Sequence, residues 1–142
     1  MRLFFYGTLM RGSCNPVASA LHERLGPAVP ARAAGWLFAL PDPEGWYPAL
    51  VPDADGPAVQ GHVYEALPGF GPADLAAADA WEGCRADGRG DYRREPIVVS
   101  TAQGPVCAHA YVWNREVPRH GVRIDSGDFH AFAAKRGWPL FR

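Results

Sequence analysis

Apolar residues fall in short stretches along the chain, and their spacing changes from one stretch to the next. Arg2 to Tyr6 is short, apolar and aromatic, which predicts a buried strand. Gly7-Thr8-Leu9-Met10-Arg11-Gly12 interrupts it with two glycines, which reach conformations that a side chain hinders. Asn15 stands where it can cap a helix running to about Leu25, with Pro16 at the tolerated first position. Ala18, Leu21 and Leu25 give that helix an apolar face, and Gly26-Pro27 ends it. A strand is expected around Ala34 to Ala39, followed by a loop over Pro41 to Gly45. Trp46 to Val51 turns apolar again, but Pro48 limits it to an edge, a bend or an irregular strand.

Val59, Gly61 and Val63 alternate with Gln60, His62 and Tyr64, the period of a strand. The clearest alternation sets Val106, Ala108, Ala110 and Val112 against Cys107, His109, Tyr111 and Trp113. Ile97-Val98-Val99 marks a further strand after Pro96. The alanine-rich run Pro72 to Trp81 reads as a helix stopped by Gly83, which puts Glu82 at its carboxyl end. The helix dipole disfavours an anion there, so nearby donors or a mechanistic need must compensate. A last helix is expected near Asp128 to Lys135, with Phe129, Phe132 and Ala133 available for docking. Roughly five or six strands and two or three short helices predict an α+β fold. A compact barrel-like mixed sheet is favoured, because closure protects short strands from exposed edges. An open mixed sheet is the alternative. With no internal repeat, one domain over residues 1–142 is expected.

Composition narrows the picture. Hydrophobic residues make up 48% and charged residues 20%, so wholesale disorder is excluded. Fourteen basic against fifteen acidic side chains leave a net charge of -1, which implies no bulk attraction to nucleic acid or an anionic membrane. No run approaches the length of a membrane-spanning helix, and the apolar start is too short for a signal peptide. Cys14, Cys84 and Cys107 are widely spaced and form neither a disulfide scaffold nor a CxxC pair. A cytoplasmic protein is the expectation.

Candidate chemistry is sparse. His62 and His109 lie on separate expected strands without metal-ligand spacing. Cys107 and His109 share a strand face but are separated along it, and Cys14 near a helix start has no evident base. Gly7 to Gly12 lacks both a dinucleotide fingerprint and a phosphate-loop ending. Successive N–H groups in such a turn can still form a small anion-binding concavity, to which Thr8 adds a hydroxyl. Glu82 lies three residues after Asp79, so the two acids share a helical face; solvent exposure explains such a pair equally well. Arg94 is placed either to balance a carboxylate or to decorate an edge strand.

Several segments in order resemble the gamma-glutamylcyclotransferase-like family. They are Phe5-Tyr6-Gly7-Thr8-Leu9-Met10-Arg11-Gly12 with Asn15, then Tyr47-Pro48-Ala49-Leu50, Gly61-His62-Val63-Tyr64-Glu65, and Asp79-Ala80-Trp81-Glu82-Gly83. Tyr92-Arg93-Arg94 with Val98, and Ser126-Gly127-Asp128-Phe129, complete the set. The resemblance covers most of the chain and implies a small barrel-like α+β fold with no metal or organic cofactor. It implies that Tyr6, Gly7, Thr8 and Leu9 hold the gamma-glutamyl part of a small-molecule substrate and that Glu82 is the catalytic acid-base group. Tyr92 and Arg94 are secondary substrate-binding candidates. Arg85 to Asp91 departs from the pattern as a longer, charged link between Glu82 and Tyr92.

The implied reaction is an intramolecular cyclisation. The substrate's alpha-amine attacks its own gamma-carbonyl, giving 5-oxoproline and a free amine or amino acid, with Glu82 moving the proton. Such an enzyme is a lyase, or an acyltransferase in older wording. Two other readings stay open: a non-catalytic small-molecule-binding domain, and a gamma-glutamyl amide hydrolase. Neither nucleic acid, nor membrane, nor an obligate protein partner is implied.

Overall fold

A computed structural model of the chain describes residues 1–139. In chain order the elements are β1 (Arg2–Phe5), α1 (Pro16–His22), β2 (Val29–Asp42), β3 (Gly45–Pro52), β4 (Ala58–Glu65), α2 (Pro72–Glu82), β5 (Tyr92–Thr101), β6 (Gly104–Trp113), β7 (Val122–Arg123) and α3 (Phe129–Arg136).

Five of the strands close on themselves. β2 pairs with β4, β4 with β1, β1 with β6 and β6 with β5, and β5 returns to β2 through Ala31↔Thr101, Arg32↔Ser100 and Ala33↔Val99. All of these pairings are antiparallel except β1 with β6. The protein is therefore a barrel-like α+β fold with a few short helices. A five-stranded barrel is narrow, and small side chains suit its interior. Ala31, Ala33, Ala108 and Ala110 supply them, filled out by Phe4, Tyr6, Val59, Val63, Val99 and Val112 in one buried cluster.

β2 is long enough to do two jobs. Its first half belongs to the barrel, while Gly35 to Asp42 runs on to pair with β3 over Gly45 to Pro52. The hairpin is tighter than the alternation suggests, because Pro41, Asp42 and Gly45 are in the ladder and only Pro43 and Glu44 remain in the turn. β3 is regular and lies at the end of the strand order, so the missing N–H of Pro48 disrupts no second partner. Pro96 is accommodated similarly: β5 meets β2 only at Val99 to Thr101, beyond it. The two-residue β7, beside Phe38 and Ala39, has no apolar period and was not expected.

The helices follow their predicted signals with small shifts at the ends. Asn15 Oδ1 accepts from Ala18 N–H at 2.8 Å at the start of α1, which stops at His22 rather than near Leu25. Gly83 closes α2 in the left-handed region at φ 68°, which glycine adopts without a Cβ clash. Asp128 caps α3 through Ala131 N–H at 3.0 Å. A second buried cluster lies outside the barrel wall, where Leu9, Leu21, Leu25 and Ala78 pack with Leu3, Phe5, Tyr64 and Tyr111. This layer brings α1 and α2 against the sheet, and the ion pair Arg24–Asp74 at 2.8 Å links the segment just after α1 to α2. Among the described residues no helix is long and apolar enough to cross a membrane.

Candidate active site

The turn after β1 is fastened on several sides. Its backbone comes so near β3 that a Cβ on Gly7 would lie 2.3 Å from Pro48 Cγ. Glycine is therefore required here by close approach, whereas Gly12 at φ 91° is required by its dihedral. Met10 N–H donates to Gly7 O at 3.1 Å and closes the turn. Trp81 Nε1 donates to Thr8 Oγ1 at 3.1 Å, tying the last turn of α2 to it.

That tie sets Glu82 beside the turn. Tyr6, Gly7, Thr8, Leu9, Pro48, Tyr111 and Glu82 line one small recess of about 10 Å³. On its outer side Glu82 also lines a cleft of about 180 Å³, with Thr8, Tyr47, Trp81, Asp91 and Tyr92 among its walls. Among the described residues no hydrogen bond or ion pair reaches the Glu82 carboxylate. The residue keeps part of its surface open, yet protein atoms pack densely around the carboxyl group. Burial therefore pushes its pKa up to about 8. Among the described residues no nearby donor compensates this acid at the helix carboxyl end, which leaves the mechanistic need.

Asp79, one turn earlier, is fully engaged. Arg94 Nε donates to Asp79 Oδ1 at 2.9 Å, and Tyr111 OH donates to the same oxygen at 2.6 Å. Arg94 thus lines neither cavity beside Glu82. Tyr92 does line the outer cleft, and its hydroxyl donates to Pro48 O. Tyr6 donates to Tyr111 O at 2.5 Å and accepts from Leu50 N–H at 3.2 Å. Burial, and then the charge of Glu82, hold the Tyr6 phenol well above its usual range. Tyr92 is raised too, first by burial. Both phenols stay protonated at neutral pH.

The charged link after Glu82 is an ordered wall. Asn114 Nδ2 donates to Gly88 O and Gly90 O, both at 3.0 Å, and Arg115 Nε pairs with Asp91 Oδ1 at 2.5 Å. Gly90 is backed against Gly83 O, 2.0 Å from where a Cβ would sit. Cys14 and Cys107 are exposed, and among the described residues no three His, Cys, Asp or Glu side chains gather around a common point.

A larger cavity of about 1120 Å³ lies on another side of the turn; it shares Tyr6 and Thr8 with the recess but does not include Glu82. Size alone would favour it, whereas the unpartnered acid favours the recess and its outer cleft.

The model of the family described as gamma-glutamyl cyclotransferase, AIG2-like, matches residues 3–131. The chain belongs to this family. The AIG2-like architecture recurs in solved structures at low identity. An uncharacterized protein, PH0828, from Pyrococcus horikoshii is 23% identical, with 96% of each chain covered and a TM-score of 0.60. An aig2-like protein from Mus musculus is 21% identical, covering 82% of this chain and 79% of that one, at a TM-score of 0.62. YkqA from Bacillus subtilis is 23% identical at a TM-score of 0.67, and the alignment takes in 96% of this chain but 42% of YkqA. At these identities the likeness is one of fold. A search of curated proteins finds no significant match.

Two features of this AIG2-like site escaped sequence reasoning. Trp81 reads as an apolar neighbour of Glu82, yet its indole N–H holds Thr8. His130 carries no motif, yet its Nε2 lies 3.0 Å from Gly7 O, across 123 positions.

Proposed function

We propose that the protein is a gamma-glutamyl cyclotransferase, converting a gamma-glutamyl amide to 5-oxoproline with release of an amine or amino acid. The observation that carries this reading is the recess shared by the turn Gly7 to Leu9 and Glu82, which has no partner among the described residues. Family membership supports the same chemistry.

In this reading the substrate's alpha-amine attacks its own gamma-carbonyl carbon. A new C–N bond closes the five-membered ring, and the old amide C–N bond then breaks. Glu82, as carboxylate, takes the proton from the attacking amine and returns one to the departing nitrogen. A pKa near 8 suits both transfers near neutral pH. No covalent enzyme intermediate is needed, because holding amine and carbonyl together supplies much of the acceleration. Tyr6 forms a wall of the site, Thr8 and the N–H groups of the turn orient the substrate, and Tyr92 borders the leaving group in the outer cleft. Arg94 acts at one remove, through Asp79, by holding α2 and with it Glu82.

The test is a panel of gamma-glutamyl compounds with 5-oxoproline measured directly. The expected result is 5-oxoproline equal in amount to the released amine. Free glutamate in its place would identify a hydrolase, and no product from any member would reject an enzymatic role on these substrates.

A further inference from the structure

The charged link from Arg85 to Asp91 departs from the family pattern, and the cyclisation chemistry gives it no task. Its last residue, Asp91, stands in the wall of the outer cleft, and Asp42, at the end of β2, stands in the same wall. With Glu82 they give the cleft three carboxyl side chains, and among the described residues no lysine, arginine or histidine lines it. Asp42 and Asp91 are exposed, whereas the Glu82 carboxyl group is buried and has no partner among the described residues. The aspartates therefore hold the solvent side of the cleft and Glu82 its inner side. Asp42 Oδ1 accepts from Glu44 N–H at 3.0 Å, and among the described residues no ion pair reaches this side chain. Asp91 Oδ1 pairs with Arg115 Nε, but Arg115 is outside the cleft lining, and both side chains are 55% exposed, where such a pair is weak. Arg115 also donates to Arg89 O at 2.8 Å and so fixes the link in place. Burial first, then the charges of Asp91 and Asp42, raise the Tyr47 phenol, so both carboxylates act on one residue of the cleft.

A cleft lined in this way repels an anion and attracts a cation. Tyr47, Trp81 and Tyr92 add aromatic walls, which suit a methylene chain and also attract an ammonium. We propose that Asp42 and Asp91 are specificity-determining residues, and that the leaving amine of the substrate carries a second, protonated amino group that they bind. The inference rests on the cyclisation reading and names the part of the substrate that the turn does not hold. Glu82 borders both the recess and the cleft, so a gamma-glutamyl group held at the turn directs its leaving nitrogen past Glu82 into the cleft. A leaving group that ends in a carboxylate meets two like charges there. Asp91 belongs to the longer link, so this selectivity is a feature of the chain itself and not of the family pattern.

Three matched substrates test this. One is the gamma-glutamyl amide of a four-carbon diamine; a neutral analogue has a methyl group in place of the terminal ammonium, and an anionic one has a carboxylate there. Release of 5-oxoproline gives kcat/KM for each, with a melting curve for every variant. The wild-type protein is expected to prefer the diamine amide to the neutral analogue roughly 10-fold, with the anionic analogue poorest. Raised salt shrinks the preference, because the aspartates are exposed. Asp91→Asn and Asp42→Asn are each expected to cut the ratio roughly 2- to 5-fold, and the double variant to bring it near unity. Asp42→Asn keeps the oxygen that accepts from Glu44 N–H, and it serves alone if Asp91→Asn fails to fold. Damage to the fold lowers all three substrates alike and leaves the ratio where it was. A wild-type ratio of one or less, or a ratio that survives in the folded variants, overturns the proposal. A wild-type protein that makes no 5-oxoproline from any gamma-glutamyl compound fails at an earlier step and rejects the cyclisation reading itself.

Discussion

Asp79 and Glu82 stand three residues apart on α2, and the fold treats them in opposite ways. Asp79 receives a guanidinium and a phenol, so its charge is balanced and its oxygens are occupied. Among the described residues Glu82 receives no such partner; it ends the helix where the dipole opposes a negative charge, and is crowded by protein atoms. An acid kept this way costs stability, and the cost makes sense only where the proton it holds is used. The neighbouring turn shows a complementary arrangement: the Gly7, Thr8 and Leu9 carbonyls accept from side chains, while among the described residues the Thr8 and Leu9 N–H groups have no acceptor. An acceptor without donors thus faces a recess shared with donors without acceptors. Only a ligand between them completes both.

The comparison is broken most directly at Glu82. Glu82→Gln keeps the size and removes the base, so turnover to 5-oxoproline is expected to drop on the order of 10²–10⁴-fold. Near-wild-type turnover in the folded variant would move the chemistry elsewhere. The intact protein gives a second large signal. Because the working form is the carboxylate, kcat/KM should climb about tenfold per pH unit at acid pH and level off above a pKa of about 8. A plateau reached by pH 6 would mean that the carboxyl is solvated.

Stability offers a smaller effect of opposite direction. The folded protein binds the Glu82 proton more tightly than the unfolded chain, with pKa values of about 8 and 4.5. The stability this contributes is full below the lower value and is lost as pH rises through the higher one. Glu82→Gln carries no such loss, so denaturant titrations should show it more stable than the parent at pH 9. A margin on the order of a few kcal/mol is expected there, shrinking toward pH 5. Asp79 supplies the smallest and contrasting case. Asp79→Ala strands Arg94 and the Tyr111 hydroxyl and should destabilise the protein by roughly 1–3 kcal/mol at neutral pH. Its activity should fall only as α2 loosens. A loss as deep as that of Glu82→Gln would erase the distinction between the two acids.

Much of this was legible along the chain, for local reasons. The alternation of Val106 to Trp113 reports a strand with two distinct environments, and the two sides do enter different buried clusters. Asn15, Gly83 and Asp128 mark helix ends because capping is settled within a few residues. Strand ends were less legible: the ladder of β2 extends through Pro41 and Asp42, where only pairing with β3 supplies the reason. Arg94 shows the same limit at the site. Its type and position allowed a substrate contact, and the register of β5 aimed it at Asp79 instead.

The order of motifs by itself determined the family and singled out one turn and one acid, since each is written in adjacent residues. Tertiary structure alone decided that Thr8 meets Trp81, that Gly7 abuts Pro48, and that His130 and Asn15 grip the carbonyls of the same turn. Those contacts arise from the return of β5 to β2 and the docking of α2 on the barrel wall. Closure brings together residues up to 123 positions apart, and hydrophobic period and capping preference carry information over only a few.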